Sequence, residues 1–134
     1  MLDKLVVALA SAGLLIAVVV SGASAQLDKL ASTTPQERAR LQTDFMKSRL
    51  QLTPQQTSAV SALNLKYAQQ AQPIIQSSEG PFVKMRQLRG LDEAKEGELR
   101  GVLSPQQFEQ YLASKEEMRQ KFEQRLEEKA GTGK

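Results

Sequence analysis

The sequence predicts an all-α protein on three observations: three nearly complete helix-start signatures, apolar residues recurring at helical spacing after them, and no segment that alternates convincingly with period two. The starts are Thr34-Pro35-Gln36-Glu37, Thr53-Pro54-Gln55-Gln56 and Ser104-Pro105-Gln106-Gln107. In each, the hydroxyl caps the N–H three residues on, proline occupies the first helical position where its missing donor is no loss, and Glu or Gln reaches back to the N–H of the cap.

Residues Met1 to Ala25 have the form of an export signal. A short start contains Lys4, an apolar run from Leu5 to Val20 is interrupted only by Ser11 and Gly13, and Ala23-Ser24-Ala25 supplies the small residues of a cleavage site. The run falls short of the ~20 residues a membrane span needs, so cleavage after Ala25 is expected, with an uncleaved anchor as the alternative because Asp3 weakens the basic start. No cysteine follows for lipid attachment. Gln26 to Thr33 is expected to be a flexible leader, and residues 34–130 a single helical domain.

The domain's first helix should run from Pro35 to about Leu50. The second starts at Pro54 and carries Val60, Leu63, Tyr67, Ala71 and Ile74 on one face, with Pro73 expected to kink or end it. Ser78-Glu79-Gly80-Pro81 is the strongest breaker in the middle of the chain. The third helical region, about Phe82 to Val102, is weakened by Gly90, Gly97 and Gly101, each costing about 1 kcal/mol relative to Ala in a helix interior, so one helix or two shorter ones fit. The fourth runs from Pro105 to about Lys129, with Phe108, Tyr111 or Leu112, Met118, Phe122 and Leu126 along one side and Leu103 with Phe108 flanking its cap. Residues 131–134 are expected to be a disordered tail.

Of 134 residues, 109 remain after removal of the first 25, with 17 basic and 14 acidic side chains and a formal charge of +3. That bias is too small for a dedicated nucleic-acid binder. The chain has no histidine and no cysteine, which removes the commonest general base, the commonest transition-metal ligands, the thiol nucleophile and any disulfide. Glycine-rich phosphate loops and hydrolase motifs are absent too. The carboxylate pairs Asp92 with Glu93 and Glu127 with Glu128 diverge by about 100° on a helix and read as solvated surface. These features point away from an enzyme and imply no cofactor and no metal. Four Phe, two Tyr and no Trp make a thin core for this length, which favours self-association.

Binding by surfaces remains. Phe82, Met85, Arg86 and Arg89 fall at i, i+3, i+4 and i+7, a mixed aromatic, thioether and guanidinium stripe suited to adaptable contact with apolar segments and acidic flanks. The alternative is ordinary core residues beside snorkelling arginines. On the first helix, Leu41 and Phe45 point to one side while Met46 and Leu50 are rotated away, so one strip can pack internally while the other meets a client or a second subunit, unless both belong to one broad buried face.

In the last two starts a leucine precedes the cap. Leu52-Thr53-Pro54-Gln55-Gln56 and Leu103-Ser104-Pro105-Gln106-Gln107 resemble the paired LTxxQ signature of the Spy/CpxP family, small exported helical proteins of the bacterial periplasm. Ser104 for threonine is the one departure, and both hydroxyls cap. The resemblance covers most of the chain. It implies a four-helix, hairpin-like protomer pairing into a curved homodimer, and a role either as an ATP-independent holdase chaperone for unfolded envelope proteins or as an inhibitory partner of an envelope-stress sensor. Zinc binding by some relatives does not carry over, since His and Cys are missing. The motif residues Leu52, Thr53, Pro54, Gln56, Leu103, Ser104, Pro105 and Gln107 carry over as helix-capping elements, and client binding is expected of Phe82, Met85, Arg86 and Arg89, with Met46 and Leu50 as a second candidate.

N-terminal sequencing of protein recovered from the cell envelope is expected to read from Gln26. A membrane-bound product retaining Met1 would establish the anchor instead.

Overall fold

The computed structural model describes residues 23–132, which form five helices and no strand: α1 (Ala23–Ala31), α2 (Pro35–Leu50), α3 (Pro54–Gln76), α4 (Pro81–Leu99) and α5 (Pro105–Thr132). The export segment lies outside this range up to residue 22, as do the last two residues of the expected tail. No helix among the described residues is long and apolar enough to cross a membrane.

The expected leader is the first difference. Gln26 to Ala31 continues a helix that begins at Ala23, because Leu27 and Leu30, at i and i+3, both bury against Ala71, Ile75, Leu88, Phe122 and Leu126. Arg38 holds the end of that helix. Its Nη1 donates to the carbonyls of Leu30 (3.1 Å) and Thr33 (2.9 Å), and its Nη2 to Gln72 Oε1 (2.6 Å). The guanidinium is fully buried, and burial lowers its pKa, with the Glu37 carboxylate opposing the shift. The breakers do not end their helices. Pro73 lies inside α3, which reaches Gln76, and of the two alternatives for the Gly-containing region the single helix α4 is the one that forms. In the tail, Gly131 and Thr132 belong to α5.

Successive helices are joined by three, four and five residues after α2, and the contacts run antiparallel. Arg38 meets Ala68 and Gln72 while Thr43 meets Asn64, and Glu37 meets Lys129 while Arg49 meets Glu117. The α2–α3 corner turns at Gln51, in the left-handed region with φ 53°, and Leu52 N–H donates to the Lys47 carbonyl (3.2 Å). At the α3–α4 corner, where Gly80 has no side chain to cap with, Lys84 Nζ donates to the Ile75 carbonyl (2.9 Å).

The apolar interior is divided. One cluster gathers Met46, Leu50, Leu52, Val60, Leu99, Leu103, Phe108, Tyr111 and Met118; the other gathers Leu27, Leu30, Ala71, Ile75, Leu88, Phe122 and Leu126. Every long helix carries buried polar side chains: Gln42 and Thr43 on α2, Asn64 on α3, Asp92 and Lys95 on α4, and Ser114 and Lys115 on α5, the last two between Tyr111 and Met118 of the first cluster. They join across helices. Asn64 Nδ2 donates to Thr43 Oγ1 (3.0 Å), Lys95 Nζ to Gln42 Oε1 (3.1 Å) and Lys115 Nζ to Asp92 Oδ2 (2.9 Å), with Glu96 also bonded to Lys115. Asp92, expected on the surface with Glu93, is therefore an interior residue, while Glu93 is exposed.

This belt is not saturated. Gln42 Nε2, Asn64 Oδ1, Asp92 Oδ1 and Tyr111 Oη are buried without a hydrogen-bond partner, and such groups cost ~1–3 kcal/mol each. Burial drives the Lys95 pKa down, against the attraction of Asp92. A depressed lysine destabilises the fold while its ammonium persists, and that penalty fades as pH rises toward the unfolded value of about 10.4. Lys95→Met combined with Gln42→Leu, which removes the acceptor as well, is therefore expected to gain on the order of 1 kcal/mol at pH 7, with the gain shrinking toward pH 10. Urea melts of both proteins at the two pH values measure it.

Candidate functional site

The two LTxxQ-like motifs, 51 residues apart, meet at one end of the bundle. Each forms its own capping box. Gln56 N–H donates to Thr53 Oγ1 (3.1 Å) and Thr53 N–H to Gln56 Oε1 (3.1 Å); Gln107 N–H donates to Ser104 Oγ (3.1 Å) and Ser104 N–H to Gln107 Oε1 (3.0 Å). The two side-chain amides then bond to each other. Gln56 Nε2 donates to Gln107 Oε1 (2.7 Å) and Gln107 Nε2 to Gln56 Oε1 (3.1 Å).

The remaining donors close the helix ends beside them: Gln107 Nε2 reaches the carbonyl of Leu50, the last residue of α2, and Gln56 Nε2 reaches that of Val102, in the turn after α4 (3.2 Å each). One glutamine pair thus satisfies the first turns of α3 and α5, the last carbonyl of α2 and a carbonyl of the turn after α4. The amide orientations follow from chemistry, since the cap N–H groups only donate and must face the oxygens. Glutamate has no Nε2 and cannot replace either residue, whereas Glu37, at the matching position of α2, accepts from the Thr34 N–H and pairs with Lys129 (2.8 Å).

The motif leucines Leu52 and Leu103 are buried in the first cluster beneath this lock, and Phe108 joins Leu103 there, as the flanking pattern predicts. Pro54 and Pro105 begin their helices and are exposed, like Thr53 and Ser104. The motif is a structural joint.

At the other end, Phe82 lies near the start of α4 and is 76% exposed, with Val83 also exposed. Arg86 and Arg89 are exposed and Met85 is half-buried against the second cluster, so the stripe is a surface with one edge in the core. Met46 and Leu50 are different. They are 1% and 3% exposed in the first cluster, facing Val60, Leu99 and Met118, and are unavailable to a client; the half-buried strip of α2 is Leu41 and Phe45. Among the described residues no group of three or more His, Cys, Asp or Glu is arranged to hold a metal ion.

Residues 24–111 match a family described as a domain of unknown function, DUF4890. The chain belongs to this family. The DUF4890 region begins with α1 and ends at Tyr111 in α5, so it encloses both motifs and the Phe82 stripe. No curated protein and no solved structure matches the chain.

Thr53→Ala and Ser104→Ala should each cost about 1 kcal/mol. Gln56→Glu or Gln107→Glu should cost about 2 kcal/mol by removing two donors from a part-buried joint. At pH 7 the double glutamate variant should lose more than the sum of the singles, and it should partly recover near pH 4, where one carboxyl regains a donor. Chemical denaturation at the two pH values measures all five.

Proposed function

We propose that this protein acts by binding: an exported, ATP-independent holdase chaperone that engages unfolded or misfolded envelope proteins in the periplasm. The observation that carries this reading is the exposed Phe82, with Val83 beside it and Arg86 and Arg89 along the same helix. A large aromatic left in water by a chain with so few aromatics is a feature that contact with another protein accounts for. Support also comes from the motif pair and its resemblance to the Spy/CpxP signature.

In this reading α2 to α5 form a hairpin-like protomer that pairs into a curved homodimer, burying apolar surface that a thin core leaves over. Clients bind through apolar contact at Phe82, and the arginines steer acidic segments toward it. A guanidinium pair of this kind is exposed, so its effect is on encounter and is screened by salt over about 8 Å at physiological ionic strength.

Suppression of aggregation of several unrelated unfolded proteins at near-stoichiometric amounts is the expected result. Phe82→Ser should weaken capture of neutral unfolded chains with little salt dependence, whereas Arg86→Glu with Arg89→Glu should weaken capture of acidic clients only, as added salt also does. Circular dichroism first establishes that the variants stay helical. Unchanged suppression in both would remove the stripe from the site, and tight binding of one sensor domain without suppression of aggregation would make the protein a regulatory partner instead.

A further inference from the structure

The short helix α1 lies in a groove made by three other helices. Its apolar anchors, Leu27 and Leu30, are buried against Ala71 and Ile75 of α3, Leu88 of α4, and Phe122 and Leu126 of α5. The reciprocal glutamine amides tie α3 to α5, and Lys115 with Asp92 ties α5 to α4, so the floor of the groove is assembled without α1.

The hold on α1 is light. Its nine residues are fewer than the ~12–15 at which an isolated helix becomes even marginal, so it is helical because the groove receives it. The ion pair at its rim, Lys29 Nζ to Glu127 Oε1, spans 3.5 Å between side chains 42% and 67% exposed and adds little. Arg38 donates into α1 only at the Leu30 carbonyl; its other bonds go to Thr33, Ala68 and Gln72. The helix can therefore leave while the arginine keeps its place on α3. Elements with so few buried anchors occupy the low end of local stability, from which lids and straps are drawn. The expected cleavage after Ala25 would also remove the first turn of α1 and spare both leucines.

We propose that this groove is a binding site for an amphipathic helix of a partner protein, with leucines at i and i+3, and that α1 is its resident, displaceable occupant. The resident defines the ligand. Two leucines one turn apart fill the floor, and Glu127 at the rim meets a cation placed between them, as it meets Lys29. The walls are helices whose backbone groups are already paired, so an extended segment would bring amides with no partner, whereas a helix satisfies its own. Met85 borders both this floor and the Phe82 stripe, which makes the opened groove continuous with the proposed client surface. That the partner is an unfolded client rests on the chaperone reading; the groove itself does not.

The test is fluorescence anisotropy of a labelled peptide carrying residues 23–33, added to the full chain. The resident helix keeps the groove closed in most molecules, so Leu27→Asp with Leu30→Asp should tighten binding by ~tenfold or more. Lys29→Cys with Glu127→Cys, bridged by a short bis-maleimide, should weaken it by ~tenfold or more relative to the same protein capped with N-ethylmaleimide. The chain has no other cysteine and both positions are exposed, so the bridge forms only there and the fold should survive. This pair keeps the test decisive even where circular dichroism shows the aspartate variant to lose helix. A peptide of unrelated sequence that keeps the two leucines and the lysine should compete, and one with serines in place of the leucines should not.

Phe82→Ser should leave peptide binding unchanged. Peptide exchange without any suppression of aggregation would remove the chaperone reading and keep the groove. Equal affinity in the bridged and capped proteins, no binding to the capped protein, or equal competition by the serine peptide would each overturn the proposal.

Discussion

The exchange of hydrogen bonds between Gln56 and Gln107 is the constraint on which the rest of this structure turns. Two helices end and two begin at the same level of the bundle, which gathers many unpaired backbone groups in one place. Independent caps would satisfy each start alone. By bonding to each other and then to the Leu50 and Val102 carbonyls, the two amides also fix the height of α3 against α5 and of both against the preceding helices. Leu52 and Leu103, placed just before the caps, are carried into the same apolar cluster. That explains why leucine, hydroxyl and glutamine recur together: each pattern is half of one joint.

With the register set at that end, the side chains one and two turns further along are brought level with one another, and this is where the polar belt forms. Burying Asp92, Lys95 and Lys115 is a poor way to stabilise a bundle, since desolvation opposes the attraction and four polar atoms there remain unpaired. A buried belt nevertheless discriminates between arrangements. Sliding any one helix by a turn would place a lysine against leucines or leave Asp92 without Lys115. The motif joint and the belt therefore specify the same alignment from two heights. The price is a core in two parts, neither large.

Much of this was legible in the sequence, and what was missed follows one pattern. All three hydroxyl-proline helix starts fall where their capping chemistry places them, and Val60, Tyr67, Ala71, Phe108, Tyr111, Met118, Phe122 and Leu126 are interior as their spacing requires. The belt is hidden from a reading in which charge marks surface. Yet Leu88, Asp92, Lys95 and Leu99 follow at intervals of 4, 3 and 4, as do Tyr111, Lys115, Met118 and Phe122, so each charged residue lies on a stripe otherwise made of core residues. Asn64 between Val60 and Tyr67 repeats the pattern. Periodicity was the better guide than polarity. Met46 and Leu50 are interior, against expectation, for a related reason: rotation relative to Leu41 and Phe45 gives the angle between two strips but not which one faces inward. That choice belongs to partners distant in sequence, Leu99 and Met118 among them. The helical α1 was legible only as Leu27 and Leu30 at i and i+3, too short a pattern to stand without the groove that receives it.

The same framework explains where surface remains available. The motif end is sealed by reciprocal amides, its hydroxyls and prolines occupied in starting helices. At the opposite end α4 follows Gly80, which brings no capping side chain, and Phe82 projects from the first turn into solvent. Nothing in the helix itself requires an aromatic there, since Leu88 supplies the inward contact from one and a half turns further on and Met85 covers the edge of the cluster. Lysine or glutamate would serve the helix as well and would be better solvated. An aromatic in that place, on a rigid helix next to two exposed arginines, gains nothing from folding and loses little entropy on contact, because its backbone is already ordered. The sealed motif joint and the exposed Phe82 thus lie at opposite ends of the bundle, with the polar belt between them.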